Sequence, residues 1–169
     1  MFGKFGEFDS VEELNAAAEG FLKECDEESL LALAEETGID KEDAQDYLDA
    51  YTSEFATVFS AAMGRLAVQE KEIKAKPPME AAAYLVILNQ IRALCTEMEL
   101  ARAVMRKGKR VAKIYETMEK KAKEASSAKR SMVVCCGTDR ELEKLIYSYF
   151  TKPETEFDAD VVAQIRRSV

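Results

Sequence analysis

The chain contains neither histidine nor tryptophan. Without histidine, Ser-His-Asp and Cys-His catalysis, HExxH metalloprotease chemistry and His-ligated metals are all excluded. Its four cysteines (Cys25, Cys95, Cys135 and Cys136) include no CxxC pair, and Cys25 and Cys95 fall within helical patterns. Buried free thiols are expected there, not a zinc site. Only seven glycines and three prolines are present, with few β-branched runs and abundant Ala, Leu, Glu and Lys. That balance predicts an almost all-α, multi-helix bundle. The longest apolar run, Ala81 to Leu88, falls far short of the ~20 residues that cross a bilayer. The opening residues from Met1 to Phe8 lack the apolar stretch of a secretory signal, so a cytoplasmic location is expected. No Gly-rich phosphate loop accompanies the many carboxylates, and no metal, cofactor or enzymatic activity is expected.

Charge is what the chain has in excess, and it is unevenly placed. The first sixty residues carry 17 acidic and 3 basic side chains, a net of −14. The remaining 109 carry 15 acidic and 21 basic ones, a net of +6, so the overall −8 hides two opposite surfaces. Residues 101–130 alone hold 11 basic and 3 acidic side chains. Such a distribution suits contact with other charged macromolecules and points to binding over chemistry.

Capping signals and apolar periodicity place the elements. Ser10-Val-Glu-Glu13 reads as a capping box opening a helix over residues 11–24, on which Phe2, Phe5 and Phe8 are expected to fold back. A second helix follows Asp26 and ends at Thr37-Gly38, where glycine suits a left-handed cap. Asp40 then caps a long third helix with an apolar stripe of Ala44, Tyr47, Leu48, Tyr51, Phe55, Val58, Phe59, Ala62 and Leu66, fading before Pro77-Pro78. A fourth runs over 79–107 and a fifth over 109–125, separated by Gly108. Met132 to Cys136 reads as a strand or an apolar connector. Thr138-Asp-Arg-Glu141 is another capping box, whose helix ends at Pro153 before a short helix near 159–167. The charge switch at Pro77-Pro78 suggests an acidic helical lobe over 1–76 and a basic one over 77–169, with one continuous bundle as the alternative.

Two constellations are candidates for function. Ten carboxylates crowd residues 26–49 against the lone Lys41. Glu27, Glu28, Glu35, Glu36, Glu42, Asp43, Asp46 and Asp49 form the expected contact row, since stacked acids one turn apart repel and weaken a helix. The helix–Gly-Ile-Asp–helix turn over 30–48 has a helix-turn-helix outline, but its second helix offers acids where base-reading side chains are needed. The other constellation is basic: Arg102, Arg106, Lys107, Lys109, Arg110 and Lys113, of which residues 102, 106, 109/110 and 113 share one helical face, an arrangement that tracks phosphates. Pairing of that ridge with acids of the same chain, or of a second copy in a homodimer, is the competing expectation.

Part of the chain resembles a known group. Ala101-Arg-Ala-Val-Met-Arg-Lys-Gly-Lys109, Lys120-Lys-Ala-Lys-Glu-Ala125, Met132-Val-Val, Asp139 and Leu145-Ile-Tyr-Ser-Tyr-Phe150 follow the layout of PcfK-like proteins over residues 98–150. These are small accessory proteins of mobile elements in gut Firmicutes, and the group includes inhibitors of the type II CRISPR nuclease. The acidic opening from Phe5 to Asn15 is similar to those of other mobile-element proteins of the same bacteria. The resemblance implies an anti-CRISPR role, with the guide-loaded nuclease as partner. An acidic lobe acting as a DNA mimic supplies a mechanism, because that nuclease reads its target through basic grooves. The alternative is a nucleic-acid-binding accessory protein that acts through the basic helix at 102–123.

Overall fold

The computed structural model describes residues 3–125 and 138–168. Phe2, the Met132–Cys136 stretch and the Cys135-Cys136 pair lie outside the described residues. Among those described the fold is all-α, as the composition predicts: α1 (Val11–Lys23), α2 (Glu27–Thr37), α3 (Lys41–Leu48), α4 (Val58–Lys74), α5 (Pro78–Leu94), α6 (Met98–Met105), α7 (Val111–Ala125), α8 (Asp139–Thr151) and α9 (Glu154–Ser168). No helix among the described residues is long and apolar enough to cross a membrane.

The helix starts follow local chemistry. Ser10 Oγ accepts from the Glu13 amide at 3.2 Å, while the Glu13 carboxylate takes the Asp9 amide instead of closing the box on Ser10. Asp26 and Asp40 cap α2 and α3 by accepting from the amides of Ser29 and Glu42. The box at α8 is complete, with Thr138 and Glu141 satisfying each other's amides. Gly38 ends α2 at φ 76°. The same residue allows a close approach: a Cβ built on Gly64 of α4 would lie 2.7 Å from the Thr37 carbonyl oxygen.

Two expected helices are each broken in two. The long third helix stops at Leu48 and resumes at Val58. Ala50 turns the chain at φ 60°, and the amides of Tyr51 and Thr52 both donate back to the Asp46 carbonyl. Thr57 and Ser60 then exchange side-chain-to-amide bonds at 2.9 and 3.1 Å as α4 starts. Tyr51, expected in the core stripe, is 79% exposed. The fourth helix likewise ends at Leu94, and α6 begins at Met98 without a side-chain cap.

The chain forms two compact units, and neither is continuous in sequence. One comprises Met1–Glu72 with Cys95–Lys109, the other Ile73–Leu94 with Arg110–Val169. This corrects the expected division at Pro77-Pro78. Buried Arg65 of α4 is the physical reason. Its guanidinium donates to the carbonyls of Val104 and Met105 at the end of α6 and to Glu7. Those carbonyls have no partner within their own helix, so a buried donor is what makes the join stable. The Lys107 and Gly108 amides add bonds to Asp9 and Glu7 at 2.8 and 3.1 Å.

In the first unit Leu14, Leu30, Leu33, Ala34, Ala44, Phe55 and Ala61 pack into one core, with Phe8 buried among them. Phe5 lies edge to face on Phe21, so two of the three N-terminal phenylalanines do fold back. In the second unit α7 packs on α9 and α5, and α8 on α9 and α5. Ile87, Leu88, Ile91, Ile114, Ile146, Phe150 and Phe157 are fully buried there. Each such side chain contributes about 1.5–3 kcal/mol.

Candidate functional site

The carboxylates of the first unit fall into two groups. Those of α1 are engaged: Glu12 faces Arg102 at 3.6 Å, Glu13 faces Lys107 at 3.3 Å, and Glu19 pairs with Lys23. Glu13 is held below the usual carboxylate range by the Asp9 amide and Lys107, and Glu12 by its backbone and Ser10 hydrogen bonds with help from Arg102. The acids of α2 and α3 differ. Glu27, Glu28, Glu35, Glu42, Asp43, Asp46 and Asp49 are exposed, and no lysine or arginine among the described residues pairs with them. Glu36 leaves the expected row. It is half-buried and accepts the amides of Lys4 and Phe5 at 2.8 and 3.2 Å, which ties down the N-terminal segment.

Spacing sets what the seven remaining acids present. Glu28 and Glu35 lie two turns apart on α2, while Glu42, Asp46 and Asp49 share one face of α3. Asp49 also accepts from the Gln45 side chain at 3.2 Å. The opposite sides carry buried Leu30, Leu33, Ala34, Ala44 and Tyr47, so packing turns the carboxylates to solvent.

The basic segment is not one helical face. Helix α6 ends at Met105, Arg106 is extended, Gly108 sits at φ 76°, and α7 begins only at Val111. Arg102, Arg106, Lys107 and Lys109 belong to the first unit, and Arg110 and Lys113 to the second. Arg102 and Lys107 face α1 acids, and Lys113 holds Glu154 at 2.9 Å. Lys109 and Arg110 also take part in interactions of their own. Further along α7, Lys121 meets Asp158 at 3.2 Å. The hydrogen bonds they donate to Glu154 and Asp158 push Lys113 and Lys121 above the ordinary lysine range. Pairing within the chain, the competing expectation, therefore accounts for much of this segment.

Of the thiols, Cys95 is buried and its pKa is pushed up to about 11 by that burial, while Cys25 is exposed. No group of three or more His, Cys, Asp or Glu suited to a metal exists among the described residues.

One feature escaped the sequence reading. A groove of about 520 Å³ lies between α1 and the 50–55 loop, with Glu12, Glu19, Tyr47, Glu54 and Phe55 on its walls. It exists because the third helix is broken, and the local apolar spacing gives no sign of that break. No family model, curated protein or solved structure matches the chain.

Proposed function

We propose that the chain is an inhibitory binding protein that lays the carboxylates of α2 and α3 into a basic, nucleic-acid-binding channel of its partner. Its proposed partner is a guide-loaded type II CRISPR nuclease, as the resemblance over residues 98–150 implies. The observation that carries the reading is the unpaired state of Glu27, Glu28, Glu35, Glu42, Asp43, Asp46 and Asp49, beside an α1 whose acids are matched by cations. On α3, Glu42, Asp46 and Asp49 lie one turn apart and repel, and an external cationic surface relieves that repulsion. A channel that holds a duplex by its phosphates through Arg and Lys supplies that surface. The alternative, nucleic-acid binding through residues 102–123, has less support because that segment is interrupted and several of its cations face carboxylates.

The test is target-DNA cleavage by the guide-loaded nuclease at increasing concentrations of this protein. Dose-dependent loss of cleavage, with co-elution and weakening at high salt, is expected. Full cleavage at large excess across several such nucleases would overturn the reading. Salt-sensitive binding of the isolated protein to DNA, lost on replacing Arg102, Arg106 and Arg110 by Ala, would favour the alternative.

A further inference from the structure

The outward side of α5 differs from that of α7 and α8, the helices packed against it. Its inward side is buried through Ala81, Tyr84, Ile87, Leu88 and Ile91. On the other side stand Met79, Ala82, Val86, Asn89 and Ala93, all exposed, at alternating spacings of three and four, with half-buried Ala83 and Gln90 beside them. Met79 is 91% and Val86 55% exposed. None of the seven is charged, in a chain that is 33% charged. By contrast, α7 and α8 expose Glu116, Lys120, Lys123, Arg140 and Lys144. The two charges of α5, Glu80 and Arg92, lie about a third of a turn from the centre of the strip, one on each side. Glu80 pairs with Lys76 at 2.7 Å, and Arg92 has interactions of its own. A helix that is apolar on both sides belongs among those covered on both sides.

The side-chain volumes point to what covers it. Any helix face laid antiparallel on its own copy matches in spacing, so volume is what discriminates. With the two-fold axis at Val86, Met79 falls opposite Ala93 of the second copy, Ala82 opposite Asn89 and Ala83 opposite Gln90. Each long side chain meets a short one, as interlocking helix faces require. At the axis Val86 packs on itself.

Charge and extent agree with this occupant. The strip offers no counter-charge to phosphates or to a cationic channel, so it does not extend the carboxylate row. Seventeen residues make a helix about 25 Å long and about 10 Å across. One such pair covers less than the ~800 Å² per partner of a standard interface, which fits reversible association of folded copies and not an obligate dimer.

We propose that the outward side of α5 is a self-association surface through which two copies of this chain pair antiparallel about Val86. The pairing goes beyond the inhibitory reading and does not depend on it. A dimer carries two of the carboxylate rows described above.

The experiment is sedimentation velocity of the intact protein from about 1 to 300 µM, under reducing conditions that keep the exposed Cys25 from linking copies. A reversible monomer–dimer equilibrium with a Kd of about 10–100 µM is expected. Val86→Glu and Val86→Lys, at a half-exposed position, should each leave the circular dichroism intact. Each should weaken association at least tenfold by setting like charges against each other at the axis. Mixed one to one, the two variants should pair again, since each added carboxylate then meets an added ammonium. Met79→Ala should weaken pairing several-fold, whereas Tyr51→Ser, which removes the other highly exposed large side chain, should leave it unchanged. Because each chain carries a net charge of −8, added salt should strengthen association or leave it as it was. A monomer at every concentration, a mixture of the two Val86 variants that stays monomeric, or a dimer that Val86→Glu leaves intact would overturn the proposal. So would a dimer dissolved by salt or by Tyr51→Ser.

Discussion

In the first unit, Arg102 and Lys107 stand against α1, and no cation among the described residues pairs with the exposed carboxylates of α2 and α3. In the second, Glu154, Asp158 and Asp160 of α9 hold Lys113, Lys121 and Lys152. By sequence the first unit carries 21 acidic and 9 basic residues, the second 11 and 15, so their net charges are −12 and +4. Net charge alone does not explain the contrast. The first unit has cations, and Arg65, Arg102 and Lys107 among them face α1 and the N-terminal segment. What the difference teaches is that charge excess becomes a candidate binding surface only where the fold withholds its own counter-ions.

The largest test concerns the cation that the first unit buries. Arg65→Met removes a donor from the carbonyls of Val104 and Met105 and from Glu7. We expect a loss of about 3 kcal/mol, measured by urea unfolding with the second unit's core intact. A change under 1 kcal/mol, on the same denaturation scale, would mean that packing alone holds the 95–109 segment.

Next comes charge reversal on the unpaired row. Glu28→Lys, Glu42→Lys and Asp46→Lys together should abolish inhibition in the cleavage assay while leaving the helical circular dichroism intact. Unchanged inhibition would remove the DNA-mimic mechanism.

Neutralisation should separate the two units by sign. Glu42→Gln with Asp46→Asn relieves like-charge repulsion along α3 and should raise the melting temperature by about 1–2 °C. Asp158→Asn leaves Lys121 without that partner and should lower it by a similar small amount. Shifts of the same sign at both places would erase the distinction between bare and paired acids.

The smallest effect is the pH dependence of the second unit. Hydrogen bonds from Lys152 and Ser148 hold the Asp160 carboxyl below its ordinary range. Its contribution is present above that range and is lost as pH falls through the lowered value. Lys113, Lys121 and Lys152 are held above the lysine range by their carboxylate partners, so their contribution is present below it and lost as pH rises through the raised values. Helix-resolved hydrogen exchange should show α7–α9 protection falling at both extremes. A monotonic profile across the whole range would contradict the pairing.

Helix starts were legible because capping is local. Ser10, Asp26, Asp40 and Thr138 each act within three residues. The break after Leu48 was not, because Tyr51, Phe55, Val58 and Phe59 continue a helical apolar spacing and no Gly or Pro marks the stop. What fixes it is Asn15, 41 residues away, gripping Ala56 from both sides. The Thr57–Ser60 exchange is a local signal that was available, with serine in the place where Glu or Gln is usual. The exposed acids of α2 and α3 were legible from spacing alone, while the withdrawal of Glu36 was not, since its partners lie over thirty residues upstream. The interruption of the basic segment was signalled by Gly108, which takes a positive φ between the end of α6 at Met105 and the start of α7 at Val111.

The return of residues 95–109 to the first unit also has a consequence for biosynthesis. A nascent chain that has emerged only as far as Glu72 holds Arg65 without the α6 carbonyls that accept from it, and the α1 acids without Arg102 and Lys107. The acidic unit therefore stays incomplete until Lys109 has been translated, after the whole of α5 has been made. Closing that intervening loop is a non-local step of the kind that slows folding. A fragment cut at Glu72 would carry the whole carboxylate row and still lack the helix that completes its fold.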